Sequence, residues 1–424
     1  MLELPYLREN KEQAIEALDK RQIEAESLVG QVLEIDAERR SLLSELEKHK
    51  HEMNLASKEI GLAFKNGDRE RAEELKLRSS ELKEIIKEGD VRLNDVEERL
   101  RDTLSAIPNR PHVSVPEGKT EEDNEEIKRV GEIPSLFEGA KPHWDLAADY
   151  GLIDFELGVK ITGAGFPVYR TKGARLQRAL INFFLDEARS AGYDEVIPPH
   201  LVNADSGFGT GQLPDKDGQM YRADLDQLYL IPTAEVPVTN IYRDVILKES
   251  DFPQKLCAYS PCFRREAGSY GKDVRGLNRL HQFDKVEIVQ VSKPEISYRT
   301  QDEMVAHVAG LLEKLELPYR ILRLCAGDLG FAAALTFDFE VYSAAQGRWL
   351  EVSSVSNFES YQANRLKLRF KDEQGKTHLA HTLNGSALAL PRVLASILEN
   401  FQEPDGIRIP KVLVPYTGFD KIER

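Results

Sequence analysis

The chain of 424 residues lacks features on which several classes of protein depend. Three cysteines, Cys257, Cys262 and Cys325, are too few for a disulfide framework, and Cys257 with Cys262 lacks the second ligand pair of a structural zinc site. No run of about 18 apolar residues could span a membrane, and the N-terminus MLELPYLRENKEQ lacks the basic and then apolar order of a signal peptide. These absences predict a cytoplasmic protein with ordinary thiols and without zinc.

The sequence also lacks the common signatures of nucleotide binders and hydrolases. Neither GxxxxGK[ST] nor GxGxxG occurs between a strand and a helix, and there is no serine nucleophile elbow and no HExxH. The nearest approach is GFGTG, residues 207–211, whose spacing is wrong, so we interpret it as a mobile loop and not as a phosphate cradle. The formal net charge of -15 argues against indiscriminate coating of nucleic acid, although local basic patches can still bind phosphates.

A heptad pattern runs through the N-terminal part of the chain in two segments. Apolar or neutral residues recur at alternating steps of four and three, which predicts two helices packed along one seam. The break at residues 66–68, Asn-Gly-Asp, predicts a turn and therefore an antiparallel hairpin. At 1.5 Å per residue each helix reaches roughly 45 Å, so we expect a projecting arm. The seam residues are Leu42, Leu46, His49, Met53, Ala56, Ile60 and Ala63, then Leu75, Ser79, Leu82, Ile86, Gly89, Leu93, Val96, Leu100, Thr103 and Ile107.

The outward positions of this arm mix both signs of charge. Residues 35–107 hold 15 Lys and Arg against 18 Asp and Glu, so the arm is nearly neutral although the whole chain is acidic. A solvated coiled coil laced with ion pairs and a contact surface for nucleic acid both fit this pattern, and periodicity cannot choose between them. Ser79, Gly89 and Thr103 are expected to weaken the second half of the seam.

Beyond the arm the composition changes twice. Pro108 and Pro111 end the second helix, and the following stretch PEGKTEEDNEEIKR is polar and acidic enough to predict a flexible joint. From about His143 a helix over residues 174–191 alternates with the strand-like runs LYLIPT, QFDKVEIVQV, RILRLC, FDFEVY and RWLEVSSVS, with a hairpin turn at Gln346-Gly347. Strands joined by short turns predict an α+β body built on an antiparallel sheet and not a doubly wound parallel one. We expect domains at residues 1–112 and 143–424, with a linker over 113–142.

The stretch PCFRREAGSYG, residues 261–271, carries a charge pattern suited to a phosphorylated amine. If the backbone is extended, Arg264 and Glu266 project from one face, where an arginine fork matches phosphate and a carboxylate accepts from an amino group, as ATP would require. Glycines and further cations follow, and the returning strand places Phe283, Lys285 and Glu287 on one face, with about 13 Å between Phe283 and Glu287. The alternative for each residue alone is a surface ion pair or an ordinary core aromatic.

Taken together, these motifs resemble a known family. FRREAGSYGKDVRGLNRLHQFDKVE resembles motif 2 of class II aminoacyl-tRNA synthetases and, in detail, the seryl-tRNA synthetase family. GYDEVIPPHLVN, with Pro199, is similar to motif 1, which packs a dimer interface in this class. HTLNGSALALPRVLASILEN, with Arg392, is similar to motif 3, IPTAEVPVTN resembles the serine-site signature, and the N-terminal hairpin resembles the arm that holds the variable branch of the tRNA. The resemblance covers the whole chain and implies an antiparallel class II fold with a coiled-coil arm.

The resemblance also implies roles for individual residues. Phe283 stacks one face of adenine while Arg392 covers the other, and Arg265 faces away from the ligand. ATP-binding positions are Arg264, Arg265, Glu266, Leu280, Phe283, Glu351, Val352, Ser353, Ser354 and Arg392; Glu351 and Ser354 hold Mg²⁺; Arg264, Glu266, Arg275 and Arg392 act in catalysis; serine-binding positions are Thr233, Ala234, Glu235, Arg264, Glu287, Asn384 and Ser386. Leu335, Asn364 and the loop LPDKDGQ depart from the family pattern.

The implied reaction has two steps and needs no protein nucleophile. The carboxylate of L-serine attacks the α-phosphorus of ATP to give seryl-adenylate and pyrophosphate, and the terminal ribose hydroxyl of tRNA(Ser) then takes the seryl group. A homodimer is implied, without DNA or membrane partners, and charging of tRNA(Sec) stays open. Two alternatives remain: transfer of serine to a carrier protein, against which the long arm speaks, and a non-catalytic descendant, against which the retained Arg264, Glu266, Glu351 and Arg392 speak.

Overall fold

A computed structural model describes residues 1–215, 218–266 and 275–423, and its chain divides into two units, Met1–Pro108 and Asn109–Arg424. Among the residues it describes, no helix combines the length and the apolar character that crossing a bilayer requires. The candidate site residues of the motif 2 region lie within the described residues, but Gly268, Gly271 and Lys272 of its loop fall outside them.

The first unit is a helical hairpin with two short helices before it. The helices are α1 (Leu4–Glu9), α2 (Lys11–Asp19), α3 (Ala25–Lys65) and α4 (Arg69–Ser105). With 41 and 37 residues, α3 and α4 are roughly 62 and 56 Å long. Both exceed the expected length, because α3 begins ten residues before residue 35 and α4 begins six residues before Leu75, the first seam residue of its half. The turn falls where it was predicted, and Asp68 caps α4 by accepting from the backbone N–H of Arg71 at 3.1 Å. The predicted coiled-coil hairpin is confirmed.

The seam of the hairpin is apolar and close packed, while its outer surface is charged. Among its buried members are Leu42, Leu46, Ala56 and Ala63 of α3 and Leu75, Leu82, Ile86, Val96 and Leu100 of α4. A methyl group on Gly89 would lie 2.5 Å from Leu46 Cδ2, so this glycine gives Leu46 its space. The interhelical pairs Lys50–Asp90 at 3.1 Å and Arg99–Glu38 at 3.3 Å are about half exposed, and such pairs contribute at most a few tenths of a kcal/mol each.

The second unit is built on an eight-stranded sheet of order β1-β11-β12-β13-β16-β10-β9-β4. All neighbouring pairs are antiparallel except β4 with β9, so the predicted antiparallel architecture is confirmed. The turn at Gln346-Gly347 joins β12 to β13, as predicted. The strands of this sheet are β1 (Glu125–Val130), β4 (Asp194–Glu195), β9 (Gln254–Phe263), β10 (Gln282–Ser292), β11 (Tyr319–Arg323), β12 (Leu335–Ser343), β13 (Arg348–Asn357) and β16 (His381–Ala389).

Smaller sheets and nine helices complete the described part of this unit. Helices α7, α10 and α12 pack against the main sheet and bury the largest apolar cluster, which includes Leu176, Phe183, Ile288, Val355 and Leu394. The remaining strands are β2 (Ile153–Asp154), β3 (Val168–Tyr169), β5 (Leu201–Val202), β6 (Arg222–Ala223), β7 (Leu228–Leu230), β8 (Ile246–Lys248), β14 (Arg369–Lys371), β15 (Thr377–Leu379), β17 (Gln402–Glu403), β18 (Gly406–Arg408) and β19 (Lys421–Ile422). The helices are α5 (His143–Asp149), α6 (Phe155–Ile161), α7 (Thr171–Ser190), α8 (Ala204–Thr210), α9 (Glu235–Asn240), α10 (Ser297–Lys314), α11 (Tyr361–Leu366), α12 (Leu390–Asn400) and α13 (Val414–Thr417).

The flexible joint predicted over residues 116–129 is wrong for its second half. This segment forms β1, which pairs antiparallel with β11 at the edge of the main sheet. Its acidic residues have cationic partners on that neighbour: Glu125 pairs with Arg323, and Glu126 pairs with Arg320 at 3.4 Å. Local composition does not include such long-range partners, and here β11 pairs with one side of the β1 backbone while its arginines pair with Glu125 and Glu126.

The mobile loop predicted at residues 207–211 is also wrong, because most of it belongs to helix α8. The helix begins after Asn203, whose side chain accepts from the backbone N–H of Ser206 at 3.0 Å. It ends at Gly211, which has a left-handed conformation with a φ of 93°. A methyl group on Gly209 would lie 2.5 Å from Leu366 Cδ2. The glycines therefore serve close packing and a helix end, which the sequence spacing alone did not distinguish from a loop.

Candidate active site

The site is assembled where β9, β10 and β16 run side by side. Their register places Phe283 opposite Cys262, and it places Glu287 opposite Ala258 on one neighbour and Ser386 on the other. Because alternate residues of a strand share a face, Phe283, Lys285 and Glu287 line one side of β10. The sheet thus brings predicted ATP and serine residues onto a common surface.

Arg264 lies just beyond the end of β9 and covers the aromatic residue of β10. Its guanidinium carbon is 5.3 Å from the centroid of the Phe283 ring, and its Nε donates to the carbonyl of Pro232 at 3.3 Å. The extended backbone predicted up to Glu266 is wrong, since the strand ends at Phe263 and Glu266 has a positive φ of 50°. Glu266 instead pairs with Arg279 on the returning chain.

Arg265 points away from this pair. Its guanidinium carbon lies 5.1 Å from the centroid of the Tyr221 ring, and its Nε donates to the carbonyl of Met220 at 3.3 Å. Adjacent arginines therefore contact different aromatic rings, Phe283 for Arg264 and Tyr221 for Arg265. The two positions offer a matched pair for mutagenesis, because both are arginines at adjacent positions.

A small buried pocket of polar groups surrounds Glu287. Its Oε2 accepts from the Thr233 hydroxyl at 3.0 Å, and its Oε1 accepts from Asn384 Nδ2 at 3.2 Å. Thr233 Oγ1 also accepts from the backbone N–H of Glu235 at 3.3 Å, at the start of α9. Ser386 lies beside Glu287 in the sheet and is 8% exposed. Five of the residues assigned to serine by resemblance thus occupy one pocket, and Ala234 is buried in the chain between two of them.

Two further side chains complete this pocket. Lys285 is 6% exposed and forms an ion pair with Glu287, and its place was readable from the alternation along β10. Gln362 of α11 donates to Glu235 Oε1 at 2.7 Å and to the Thr210 carbonyl at 3.1 Å. Its own carbonyl accepts from the Thr382 hydroxyl at 2.8 Å, which fixes the orientation of the amide. No local signal marks Gln362, because 127 residues separate it from Glu235 along the chain.

Burial makes the two carboxyl groups of the pocket harder to ionise. Burial, followed by the nearby Glu287 charge, raises the pKa of Glu235 to about 7. Burial also raises the pKa of Glu287, although Lys285, Thr233 and Arg264 oppose that shift. A ligand that brings a positive charge or a hydroxyl donor would stabilise the ionised carboxylates, so the pocket suits such a ligand.

A second polar group lies on β12, β13 and the start of α12. Arg392 donates from Nη1 to the Glu351 carbonyl at 2.7 Å and from Nε to the Asn278 carbonyl at 3.0 Å. The Ser354 hydroxyl donates to Glu351 Oε1 at 3.4 Å, and Asp338 lies opposite Ser354 in the register. Burial, together with the Glu351 charge, raises the pKa of Asp338 well above its usual range, and its buried Oδ1 has no hydrogen-bond partner among the described residues.

The remaining predicted positions are Arg275, Leu280, Val352 and Ser353. Arg275 stacks over the Trp144 ring at 4.8 Å. Leu280 and Val352 are buried in the apolar core, and the Ser353 hydroxyl donates to the Ser386 carbonyl at 2.6 Å. These last three residues support the site surface.

Of the positions that depart from the family pattern, Leu335 is buried at the start of β12 and Asn364 lies on α11. An apolar residue suits the buried position of Leu335. The loop LPDKDGQ includes residues 216–217, which lie outside the described chain.

Comparisons with known proteins agree with this architecture. The protein-family model described as tRNA synthetase class II core domain (G, H, P, S and T) matches residues 220–401, and the protein-family model described as Seryl-tRNA synthetase N-terminal domain matches residues 1–111. The antiparallel sheet and these matches define a class II aminoacyl-tRNA synthetase. The Serine--tRNA ligase of Salinibacter ruber is 50% identical over 424 residues, which is 100% of this chain and 99% of that protein. The chain belongs to the seryl-tRNA synthetase family.

Solved structures give the same result. Seryl-tRNA synthetase from Pyrococcus horikoshii, complexed with ATP, superposes with a TM-score of 0.92 at 36% identity, covering 100% of this chain and 99% of that one. Cytoplasmic serine-tRNA ligase from Naegleria fowleri, in complex with AMP, gives a TM-score of 0.88 at 28% identity with the same coverage. The family and fold predicted from the motifs are confirmed.

Proposed function

We propose a role for each group of site residues in the reaction of this family. The chain is a ligase that joins serine to tRNA at the expense of ATP. The observation that carries the residue assignment is the register of β9, β10 and β16, which places Phe283 and Glu287 on one surface, together with the position of Arg264 over the Phe283 ring. An adenylate joined to a small amino acid spans about the distance between the two ends of that surface.

In the first step the cations act on the phosphates of ATP. We assign Arg264 to the α-phosphate, where negative charge develops as the serine carboxylate attacks, and Arg392 to the remaining phosphates and one face of the adenine. Phe283 supports the base, and Glu266 binds its amino group. Because the mechanism needs alignment and charge compensation, no protein nucleophile is required.

The pocket around Glu287 binds and selects the amino acid. The carboxylates of Glu235 and Glu287 accept from the ammonium and hydroxyl groups of serine, and Thr233, Asn384 and Ser386 complete the lining. A ligand without the hydroxyl would leave these buried groups unpaired, so alanine should be a poor substrate. We expect threonine to be excluded by the size of the pocket.

Magnesium is the remaining cofactor in the proposal. Glu351 and Ser354 would hold it, and the orphaned buried oxygen of Asp338 supports a cation at this place. Mg²⁺ favours a carboxylate together with substrate phosphates, so this oxygen-rich donor set fits it. When bound, the ion would neutralise phosphate charge, while the protein side chains keep the nucleotide in place. No zinc is expected.

We propose that the first unit binds tRNA(Ser) through its hairpin, with the catalytic domain in the second unit. This assignment rests on the matched N-terminal family model and on the solvent-exposed cations along the hairpin, such as Lys50, Arg71 and Arg78. Phosphate contacts release counterions, so the affinity for tRNA should fall as salt is added. Use in protein synthesis favours a cytoplasmic location.

We also propose a homodimer. The segment that resembles motif 1 exposes apolar side chains, with Ile197 89% and Leu201 44% exposed, beside an exposed Pro199. Exposed apolar side chains of this size favour a covered surface. Sedimentation equilibrium tests the assembly, and a monomer at micromolar concentration would contradict it.

The test of the proposed function separates the two steps. Serine-dependent exchange of pyrophosphate into ATP measures adenylate formation, and charging of purified tRNA(Ser) measures transfer. The full chain should do both, whereas a chain without residues 35–107 should keep exchange and lose charging. Equal charging by the two forms would refute the role of the hairpin, and absence of serine-dependent exchange in the full chain would refute the reaction.

A further inference from the structure

A buried polar network lies behind the site, and no step above uses it. His143 and Glu399 are both fully buried, and His143 Nδ1 and its backbone N–H contact Glu399 Oε1 at 2.7 and 2.9 Å. His143 Nε2 accepts from the backbone N–H of Leu277 at 2.8 Å. An imidazole nitrogen that accepts carries no proton, so the proton of a neutral His143 is on Nδ1 and is donated to Glu399.

The network closes through a second route. Gln346 Nε2 donates to Glu399 Oε1 at 3.0 Å, and Gln346 Oε1 accepts from Asn278 Nδ2 at 2.9 Å. Leu277 and Asn278 are neighbours in the chain that returns to β10, so the two routes end on adjacent residues. We call His143, Leu277, Asn278, Gln346 and Glu399 the anchor network.

The anchor network reaches the candidate active site through one backbone atom. The carbonyl of Asn278 accepts from Arg392 Nε at 3.0 Å. Arg392 and Glu399 both belong to α12, so this helix carries the site arginine near its start and the network carboxylate two turns later. The position of Asn278 is therefore set by the same helix whose arginine it orients.

Local geometry indicates that the returning chain is built for this contact. Gly276 has a φ of 67°, and a methyl group there would lie 2.2 Å from His143 Nε2, so only glycine fits. Trp144 and Asp145, which follow His143, contact Arg275, which precedes Gly276. The guanidinium carbon of Arg275 lies 4.8 Å from the centroid of the Trp144 ring, and its Nη2 lies 3.9 Å from Asp145 Oδ1. The first turn of α5 thus contacts the returning chain at consecutive positions.

We propose that His143 is a positioning residue for ATP binding: through Leu277 and Asn278 it orients the guanidinium of Arg392. The hydrogen bond between His143 and Glu399 does not itself reach the returning chain, and the Nε2 acceptor is the atom that joins His143 to it. The inference rests on the proposed role of Arg392 toward ATP. It assigns to a buried histidine an effect on one substrate and not on the other.

Two substitutions separate the two nitrogens of His143. His143→Asn keeps a donor toward Glu399 and removes the acceptor for the Leu277 N–H, while His143→Gln keeps an acceptor near the Nε2 position and removes the Nδ1 donor. In serine-dependent pyrophosphate exchange, His143→Asn should raise the KM for ATP about tenfold, as expected for one buried hydrogen bond, with the KM for serine unchanged. His143→Gln should restore most of the ATP affinity.

The outcomes distinguish this inference from the proposed function. An unchanged KM for ATP in His143→Asn, or equal increases for ATP and serine, would overturn the inference, since a structural role alone would not separate the substrates. Absence of exchange in the unaltered chain would instead refute the proposed function. If neither histidine variant folds, Gln346→Leu cuts the second route at a half-buried turn residue: a rise in the KM for ATP alone supports the inference, and no rise overturns it.

Discussion

The hairpin of the first unit and the pocket of the second unit use charged residues in opposite ways. On the hairpin, charges lie outside an apolar seam, and their ion pairs are about half exposed. In the pocket, Lys285, Glu287 and Glu235 are each at least nine-tenths buried and depend on a few specific partners. Surface pairs in water are worth little, while an unpaired buried charge is costly. Single substitutions of charged residues should therefore have small effects on the hairpin and large effects in the pocket.

The largest expected effect comes from the arginine over Phe283. Arg264→Ala should lower serine-dependent pyrophosphate exchange by about 10²- to 10³-fold, because it removes the cation that we propose for the α-phosphate, where charge develops. Arg265→Ala is the matched control, since its side chain stacks on Tyr221, and it should change exchange by less than about threefold. Comparable losses in both variants, or full exchange in Arg264→Ala with the fold intact, would remove Arg264 from the site.

The next effect tests how the pocket holds Glu235. Gln362→Met removes the donor to a buried carboxylate oxygen and should raise the KM for serine about tenfold with little change in the KM for ATP. Gln301→Met removes another buried amide, which donates to the carbonyls of Leu335 and Val355, and serves as the control. The control should lose stability without a change in either KM. An unaltered KM for serine in Gln362→Met would contradict this view of the pocket.

The hairpin could be predicted from the sequence because its contacts repeat at short spacing. Seam residues recur three or four apart along each helix, and one turn motif sets the pairing of the two helices. The pocket could be predicted only in part: the alternation on β10 placed Phe283 and Glu287, but the roles of the other residues came from resemblance. Gln362 and the anchor network were missed, because their partners are far away in the sequence and ordinary in residue type.

The same distinction explains the wrong predictions. The acidic stretch before His143 was expected to be flexible, yet arginines nearly 200 positions later, Arg320 and Arg323, pair with it at the sheet edge. The backbone after Phe263 was expected to continue as a strand, but Glu266 turns toward Arg279. In both cases the local structure depends on a partner that is distant in the sequence, and local composition does not indicate that partner.

A smaller effect should appear in the pH dependence of stability. The pKa of Glu235 is raised to about 7 from 4.5, so the folded state keeps a proton that the unfolded state has lost between these values. The stability of the unaltered chain should therefore fall as the pH rises from about 5 to about 8. Glu235→Gln removes this cost and should be more stable than the unaltered chain by about 1–3 kcal/mol at about pH 8, with little difference at about pH 5. Urea unfolding at both pH values measures it, and a pH-independent difference would count against a buried ionisable Glu235.

The smallest effects are expected on the hairpin. Gly61→Ala, where a methyl group meets nothing within 4 Å, should stabilise α3 by about 1 kcal/mol. Gly89→Ala should give no gain or a loss of about 1 kcal/mol, because its methyl group would crowd Leu46. Both tryptophans, Trp144 and Trp349, lie in the second unit, so unfolding seen by far-ultraviolet circular dichroism without a change in tryptophan fluorescence reports the hairpin. Equal gains from both substitutions would contradict the close packing at Gly89.

The most direct test of the central claim is a crystal structure with a non-hydrolysable analogue of seryl-adenylate. We predict the adenine against Phe283, the phosphate at Arg264, and the seryl group between Glu235 and Glu287. An analogue bound with its seryl group away from these two carboxylates, or with its base away from Phe283, would contradict the proposed site.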